Sequence, residues 1–239
     1  MRQVPQYLII GNGRVACHIR HYFHLLDLPF SAWHRQEPID NLHALLPAAT
    51  HVLLLVSDQA IDTLIATHLQ NSKAMRIHFS GSLVTSHAFG AHPLMSFNSS
   101  LYTLEQYQTI PFVLDHDAPE FPVLLPGLSN QHVRLHPSMK AKYHALCVMS
   151  GNFSCLLWQA LFSALEKDMH IPAAIAHPYL LQQMQNLIEN PKTALTGPLV
   201  RNDVVTIEKN LAALQGDPLH DVYQSFVSCY QKFSKEELA

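Results

Sequence analysis

Gly11 and Gly13 stand on either side of one residue, directly after the short apolar run of residues 7–10. Gly11 permits a tight turn, Gly13 lets the backbone approach a pyrophosphate, and Ala16 is small enough for a following helix to pack against a strand. The first turn of that helix would offer free N–H groups to phosphates. The pattern predicts a dinucleotide-binding turn, and its candidate cofactor contacts are Gly11, Asn12, Gly13, Arg14, Val15 and Ala16.

A second set of residues indicates which dinucleotide this turn would bind. Proteins that bind NAD place an Asp or Glu about 20 residues after the glycines, where it binds the ribose 2′-OH. Here the predicted second strand ends in His34 and Arg35. A guanidinium can bind a 2′-phosphate through two hydrogen bonds, and Trp33 or His34 could flank the adenine. The sequence therefore favours NADP over NAD; the alternative is that Arg35 faces solvent and Glu37 binds the ribose.

The chain has 17 histidines, and three of them could suggest a metal site. His18, His21 and His24 lie three residues apart on the first predicted helix, beside its apolar stripe. Because no carboxylate or cysteine joins them, we expect a solvated polar face and no bound metal.

Composition limits the classes of partner. A net charge of −3 gives no reason to expect nucleic acid or an anionic membrane surface. No run approaches the ~18 apolar residues that a spanning helix needs, and the chain enters its first strand without a signal peptide. The four cysteines form no CxxC pair, which fits a reducing cytoplasm. We therefore expect a cytoplasmic protein without a nucleic-acid or membrane partner.

Strand and helix patterns alternate over the first ~135 residues, which predicts an α/β fold with a doubly wound parallel sheet. Residues 1–136 are therefore predicted to form a Rossmann domain that binds NADP. The predicted strands are residues 7–10, 30–34, 51–56, 75–79, a segment near Ala91, 112–114 and 132–135.

After Pro137 the sequence predicts only helices, so residues 137–239 are expected to form an all-helical domain for substrate binding and dimerisation. The first helix, residues 138–168, is apolar over much of its circumference. Three shorter helices, at 172–190, 203–214 and 218–233, are too few to cover the apolar surface of this helix. We therefore predict a homodimer through the C-terminal helices. The alternative is that the Rossmann domain covers this helix within one chain.

Four parts of the sequence resemble a known family. They are Gly11 to Ala16; Leu55 to Ile61; His78 to Ser82 with Gly90 to Phe97; and Tyr143 to Asn152 with Ala194 to Asp203. The chain resembles bacterial Rossmann-like proteins with a C-terminal domain of unknown function, relatives of pyrroline-5-carboxylate reductase, ketopantoate-type reductases and deazaflavin-dependent NADP reductases. It departs from the family pattern at Asn202, where the family has a glycine.

The resemblance implies which loops surround a nicotinamide. By resemblance these are the loops with Val56, Ser57, Asp58, Ser80 and Gly81, together with His92. The turn before Asp203 adds two candidate substrate-binding residues, Thr196 and Arg201. Arg201 could bind a carboxylate or phosphate of a substrate, or could pair with Asp203 or a partner subunit.

Because the cofactor carries the hydride, the protein needs to supply or remove only a proton. His92 and His144 titrate near neutral pH and are the candidate catalytic groups. His92 could instead hydrogen-bond a backbone carbonyl, and His144 could be a histidine of the helix core. Asn152, beside Gly151 in the long helix, is predicted either to contact the substrate or to make a structural hydrogen bond.

These patterns predict an NADP(H)-dependent oxidoreductase that transfers hydride to or from a small polar metabolite, such as a keto, hydroxy or imino acid. The sequence contains no residue that such chemistry strictly requires. A non-catalytic NADP-binding sensor or regulatory dimer is therefore the alternative.

Overall fold

The computed structural model describes residues 4–236, with side chains as far as residue 233. Its centre is one seven-stranded sheet in the order β2-β1-β3-β4-β5-β6-β7. All neighbouring strands are parallel except β5 and β6, which are antiparallel. The predicted α/β fold with a mainly parallel sheet is confirmed, and the reversal at β6 is the feature that the sequence did not indicate. The strands are β1 Tyr7–Ile10, β2 Phe30–Trp33, β3 His51–Leu54, β4 Met75–His78, β5 Phe89–Pro93, β6 Phe112–Asp115 and β7 His132–Leu135.

The helices after residue 137 lie near the predicted positions, with the predicted helix 138–168 divided into α6, a π-helical segment and α7, and two short helices, α4 and α5, lie between β5 and β7. Residue 137 onward is entirely helical or irregular within the described chain, as the sequence predicts. The α-helices are α1 Arg14–Leu25, α2 Ile39–Leu45, α3 Asp58–Leu64, α4 Leu104–Gln108, α5 Phe121–Leu124, α6 Lys140–Cys147, α7 Ser154–Lys167, α8 His177–Glu189, α9 Val204–Ala213 and α10 Leu219–Glu236.

The central strands are buried on both faces, which is why they read as continuous apolar runs. Alternate residues of β1 and β3 enter two separate cores. Ile9 and Leu53 belong to the core that includes α1, whereas Leu8 and Val52 belong to the core that includes α2 and α3. Helices therefore cover both faces of the sheet, as in a doubly wound fold.

Strand β5 is displaced along the sheet relative to β4. Its first residues pair with the last residues of β4, Phe89 with Ile77 and Gly90 with His78. The rest of β5 therefore extends beyond the carboxyl end of β4. Because β6 runs in the opposite direction, its last residue, Asp115, comes beside Gly90. The helix α6 follows β7 and begins at the level of Asp115.

The chain divides into two compact units, one ending at Leu156 and one beginning at Leu157. A continuous helical stretch, Pro137–Lys167, runs through the division and includes a π-helical segment, Val148–Phe153. The predicted boundary after residue 136 follows the last strand of the sheet. The two compact units are instead divided after Leu156, 20 residues later.

The same helical stretch is long and apolar enough to cross a membrane by length and composition alone. The expectation that no segment would meet this criterion is thus wrong for Pro137–Lys167. One helix of this kind is weak evidence for a membrane span.

The histidines of α1 differ from the expectation of a solvated face. His18 is buried, with Nδ1 2.8 Å from the hydroxyl of Tyr107 and Nε2 3.0 Å from the carbonyl oxygen of Asn98. His21 is half-buried and His24 is exposed. His18 lies on the side of α1 that faces the core, and its contacts with Tyr107 and Asn98 take the place of hydrogen bonds to water. Within residues 4–236 no three His, Cys, Asp or Glu side chains come together as metal ligands.

Candidate functional site

The two glycines of the β1–α1 turn have different structural tasks. Gly11 has φ +134°, and a Cβ there would lie 2.1 Å from the carbonyl oxygen of Leu55. Gly13 has an ordinary φ of −77°, and a Cβ there would meet no atom within 4 Å. Gly11 is therefore required by the fold, whereas the space above Gly13 is open to a ligand.

A cavity of about 730 Å³ opens at the carboxyl edge of β1, β2 and β3. This is the edge at which dinucleotides bind in doubly wound sheets. Of the predicted cofactor contacts, Ala16 and Gly81 do not line the cavity; Ala16 is buried beneath the turn. The predicted contacts that do line it are Gly11, Asn12, Gly13, Arg14, Val15, His34, Arg35, Val56, Ser57, Asp58 and Ser80.

The turn after β2 holds Glu37 away from this cavity. Its carboxylate Oε1 accepts a hydrogen bond from the backbone N–H of His34 at 3.2 Å and lies 3.4 Å from His34 Nε2. Arg35 is exposed, lines the cavity, and has no hydrogen-bond or ion-pair partner among residues 4–233, whose side chains are described. The unpaired charged group at the end of β2 is thus a guanidinium, and the carboxylate of Glu37 is engaged within the turn.

Asp58 connects two of the loops around the cavity. Its Oδ2 accepts hydrogen bonds from the hydroxyls of Ser80, at 2.6 Å, and Ser82, at 3.2 Å. The β3–α3 turn and the loop after β4 are therefore fastened together, although the sequence places them 22 residues apart.

A buried ion pair lies beside the start of β5. Lys140 Nζ is 2.5 Å from Asp115 Oδ1, and the backbone N–H of Gly90 donates to Asp115 Oδ2 at 2.6 Å. The buried imidazole of His78 points its Nε2 at the same carboxylate from 3.9 Å, without a hydrogen-bond partner among the described residues. Its Nδ1 accepts from the backbone N–H of Ser80 at 3.3 Å, so Nε2 carries the proton in the neutral ring.

One helical turn beyond Lys140, α6 meets the protruding end of β5. The hydroxyl of Tyr143 lies 2.8 Å from His92 Nδ1, and the rings of His92 and His144 are 6.1 Å apart, edge to face. Gly81 lies against both imidazoles, since a Cβ there would be 2.6 Å from His144 Cδ2 and 3.1 Å from His92 Nε2. The structure thus brings together the two histidines that the sequence selected.

Burial determines the charge state of the two inner histidines. It lowers the pKa of His92 to about 4, and the nearby His144 and Lys140 act in the same direction against the opposing charge of Asp58. Burial and Lys140 likewise lower the pKa of His78 to about 4, although Asp115 opposes this. Both imidazoles are therefore neutral at pH 7.

The three remaining candidates are exposed. Asn152 is exposed on the π-helical segment. Thr196 and Arg201 are exposed residues of the second unit, on the turn before α9. In that turn Asn202 has φ +53°, which explains why a glycine also suits the position. Asp203 caps α9 by accepting from the backbone N–H of Thr206 at 3.1 Å, as its position predicts.

Sequence reasoning missed four residues of the site: His78, Asp115, Lys140 and Tyr143. Lys140 stands two residues from Lys142, which is exposed, and nothing in the spacing separates the buried lysine from the solvated one. The signal that could have found it is Asp115, a carboxylate at the end of an apolar strand, since buried charges in cores are paired.

The sheet order, the glycine turn and the cavity at the carboxyl edge define an α/β protein with a Rossmann-like N-terminal domain and a helical C-terminal region. Residues 111–231, more than half of the chain, match the family model described as a domain of unknown function, DUF2520. The chain therefore belongs to the DUF2520 family. This confirms the expected family of Rossmann-like proteins with a C-terminal domain of unknown function, and the kinship to the three named reductase groups stays a prediction.

Known structures share the fold over nearly the whole chain. A Bacteroides fragilis protein named as a candidate NADP oxidoreductase is 19% identical, with a TM-score of 0.76, 95% of this chain covered and 98% of that one. A Thermotoga maritima protein is 22% identical, with a TM-score of 0.67 and coverage of 98% and 100%. A reductive aminase from Aspergillus terreus in complex with NADPH and ethyl levulinate is 14% identical, with a TM-score of 0.60 and coverage of 98% and 95%. No curated protein matches the chain.

Proposed function

We propose that the protein is an NADP(H)-dependent oxidoreductase acting on a small polar metabolite, such as a keto, hydroxy or imino acid. The observation that carries this proposal is the end of β2, where Arg35 is unpaired beside the cavity and Glu37 is engaged with His34. A guanidinium there matches a 2′-phosphate, and among the residues after β2 that line this cavity, His34, Arg35 and Gln36, there is no carboxylate to bind a 2′-OH.

The glycine turn supports the same cofactor. The open space above Gly13 leaves room for a pyrophosphate, and α1 begins at Arg14 with unpaired N–H groups directed at that space. When bound, NADPH supplies the hydride, so the chain needs to contribute binding groups and a proton donor. His92 and His144 are the titratable groups that we assign to proton transfer, and Thr196 and Arg201 are our candidates for substrate binding.

The names of two structural neighbours agree with this assignment, since one is described as a candidate NADP oxidoreductase and another was solved with NADPH. At 19% and 14% identity they support the fold, and the reaction of this chain rests on its own residues.

We further propose that the protein acts as a homodimer in the cytoplasm. Large apolar side chains recur every three or four residues along the helix that begins with α6, and each is more than half exposed: Leu146, Met149, Phe153 and Leu156. Soluble monomers rarely leave such a stripe in contact with water, and a second copy of the helix offers a matching surface.

Titration calorimetry with NADPH and NADH tests the cofactor assignment. We expect NADPH to bind at least tenfold more tightly, and equal affinities would contradict the proposal. The loss of NADPH absorbance with panels of keto acids and cyclic imines then tests turnover. Tight binding without turnover of any acceptor would favour the alternative, a sensor or regulatory dimer.

A further inference from the structure

We propose that Tyr143 is a positioning residue that holds His92 as the neutral tautomer with its proton on Nε2, so that His92 presents an N–H donor to the substrate. The assignment of a substrate to that donor rests on the proposed oxidoreductase function. The tautomer itself does not, because it is a property of the protein without cofactor.

The first argument is geometric. The Tyr143 hydroxyl lies 2.8 Å from His92 Nδ1, a distance typical of a strong O–H···N hydrogen bond. Tyr143 stands one turn after Lys140, whose buried ion pair with Asp115 fixes the start of α6. The phenol is therefore held against His92 by an anchored helix, and the ring of His92 cannot turn without losing this bond.

The second argument concerns the direction of the hydrogen bond. Either the phenol donates to His92 Nδ1, or Nδ1 carries the proton and donates to the phenol oxygen. An imidazole nitrogen is a strong acceptor and the phenol is a good O–H donor, so the first arrangement has the lower energy. Burial raises the pKa of Tyr143, so the phenol keeps the proton that it donates.

The third argument is that the surroundings of His92 keep its ring neutral. Burial disfavours a charged imidazole most, and His144 and Lys140, both on α6, act in the same direction, whereas Asp58 of α3 favours the charged form. Asp58 is already engaged with two serine hydroxyls. With Nδ1 occupied as an acceptor, the single proton of a neutral ring must be on Nε2.

His92 Nε2 has no hydrogen-bond partner in the described part of the chain. Gly81 packs against the two imidazoles, where a Cβ would lie 3.1 Å from His92 Nε2 and 2.6 Å from His144 Cδ2, so a residue without a side chain is needed beside this nitrogen. A neutral N–H donor at this place fits a carbonyl oxygen, on which negative charge develops as hydride arrives at the carbon. Triosephosphate isomerase uses a neutral histidine in the same electrophilic manner.

Nitrogen-15 NMR of the full chain, labelled at histidine and free of cofactor, tests the proposal at pH 7. The signals of His92 are identified as those missing from the His92→Asn variant. We expect a protonated Nε2 and a bare, hydrogen-bonded Nδ1 in the wild type. In Tyr143→Phe the Nδ1 resonance should shift towards that of a nitrogen without a donor, and the share of the Nδ1–H tautomer should rise.

Cys147→Ala is the matched control, because it removes the thiol and leaves the phenol free to donate to Nδ1; its His92 signals should stay near those of the wild type. A proton on Nδ1 in the wild type would overturn the proposal, and so would unchanged His92 signals in Tyr143→Phe. If Tyr143→Phe does not fold, the wild-type spectrum alone decides. Failure to bind NADPH would leave these signals unaffected, so the two proposals fail separately.

Discussion

The ammonium of Lys140 lies 2.5 Å from a carboxylate oxygen of Asp115, and both side chains are buried. The pair joins the first residue of α6 to the last residue of β6, and the Gly90 amide binds the second carboxylate oxygen. It therefore fixes how far along β5 the helix lies. Tyr143 lies one helical turn after Lys140, so its contact with His92 depends on this position of α6 along β5.

Replacing Lys140 with Met should leave the buried carboxylate of Asp115 unpaired and lower the free energy of unfolding by about 3–5 kcal/mol. Denaturant unfolding followed by circular dichroism measures the change. The double variant Lys140→Met/Asp115→Asn should recover much of the loss, because the amide stays neutral and still accepts from Gly90. Lys142→Met, at an exposed position two residues away, is the control and should change stability by less than about 0.5 kcal/mol. Equal effects at both lysines would show that the ion pair contributes nothing.

Replacing Arg35 with Ala should weaken NADPH binding by about 1.5–3 kcal/mol and leave NADH binding nearly unchanged, because a charge-assisted pair with the 2′-phosphate is lost. Calorimetry with both cofactors gives the difference. Gln36→Ala removes a neighbouring side chain of the same cavity without changing charge and should have little effect on either cofactor. A parallel loss for NADPH and NADH would place Arg35 away from the 2′-phosphate.

The two glycines of the first turn should respond differently to valine. Gly13→Val has room in the free protein but occupies the space of the pyrophosphate, so it should fold and fail to bind NADPH. Gly11→Val should fail to fold stably, since its Cβ would collide with the Leu55 carbonyl and its φ is +134°. Thermal melting shows whether each variant is folded, and so distinguishes a loss of NADPH binding from a loss of the fold. A Gly13→Val protein with wild-type affinity would mean that the cofactor binds elsewhere.

Stability should fall as the pH is lowered from about 6.5 to about 4. The pKa of both His78 and His92 is lowered to about 4 in the folded chain, so the unfolded chain binds more protons in this window. The folded state thus loses up to about 1.4 kcal/mol per pH unit for each imidazole. Unfolding curves at several pH values measure the slope, and His92→Asn should reduce it. A slope unaffected by that substitution would assign the acid sensitivity to other groups.

Much of the fold was predictable because it depends on local pattern. The apolar run of β1 and the glycines after it identify the first strand, turn and helix without reference to the rest of the chain. The ion pair of Lys140 was not predictable in this way, because burial of a lysine depends on which distant carboxylate the fold brings to it. His18 was misjudged for the same reason: its partner, Tyr107, is 89 residues away in the chain.

Light scattering at micromolar concentration should give a mass near twice the 26.9 kDa of one chain. Phe153→Glu places a charge in the exposed apolar stripe of the long helix and should shift the protein towards the monomer. Val133→Glu, at an equally exposed apolar position on β7, is the control and should leave the mass unchanged. A wild-type mass of one chain would reject the dimer.

The displacement of β5 also bears on the fidelity of folding. Only two residue pairs join β4 to β5, so this ladder places few backbone constraints on the register of β5. A slip by one residue would put Phe89 or Ala91 where Gly90 lies, and any Cβ there would come within 2.7 Å of the Asp115 carboxylate and 2.8 Å of Lys140 Nζ. Both side chains would have to shift to make room for it. The buried ion pair therefore favours the aligned strand, in which Gly90 lets Lys140 and Asp115 meet without displacement.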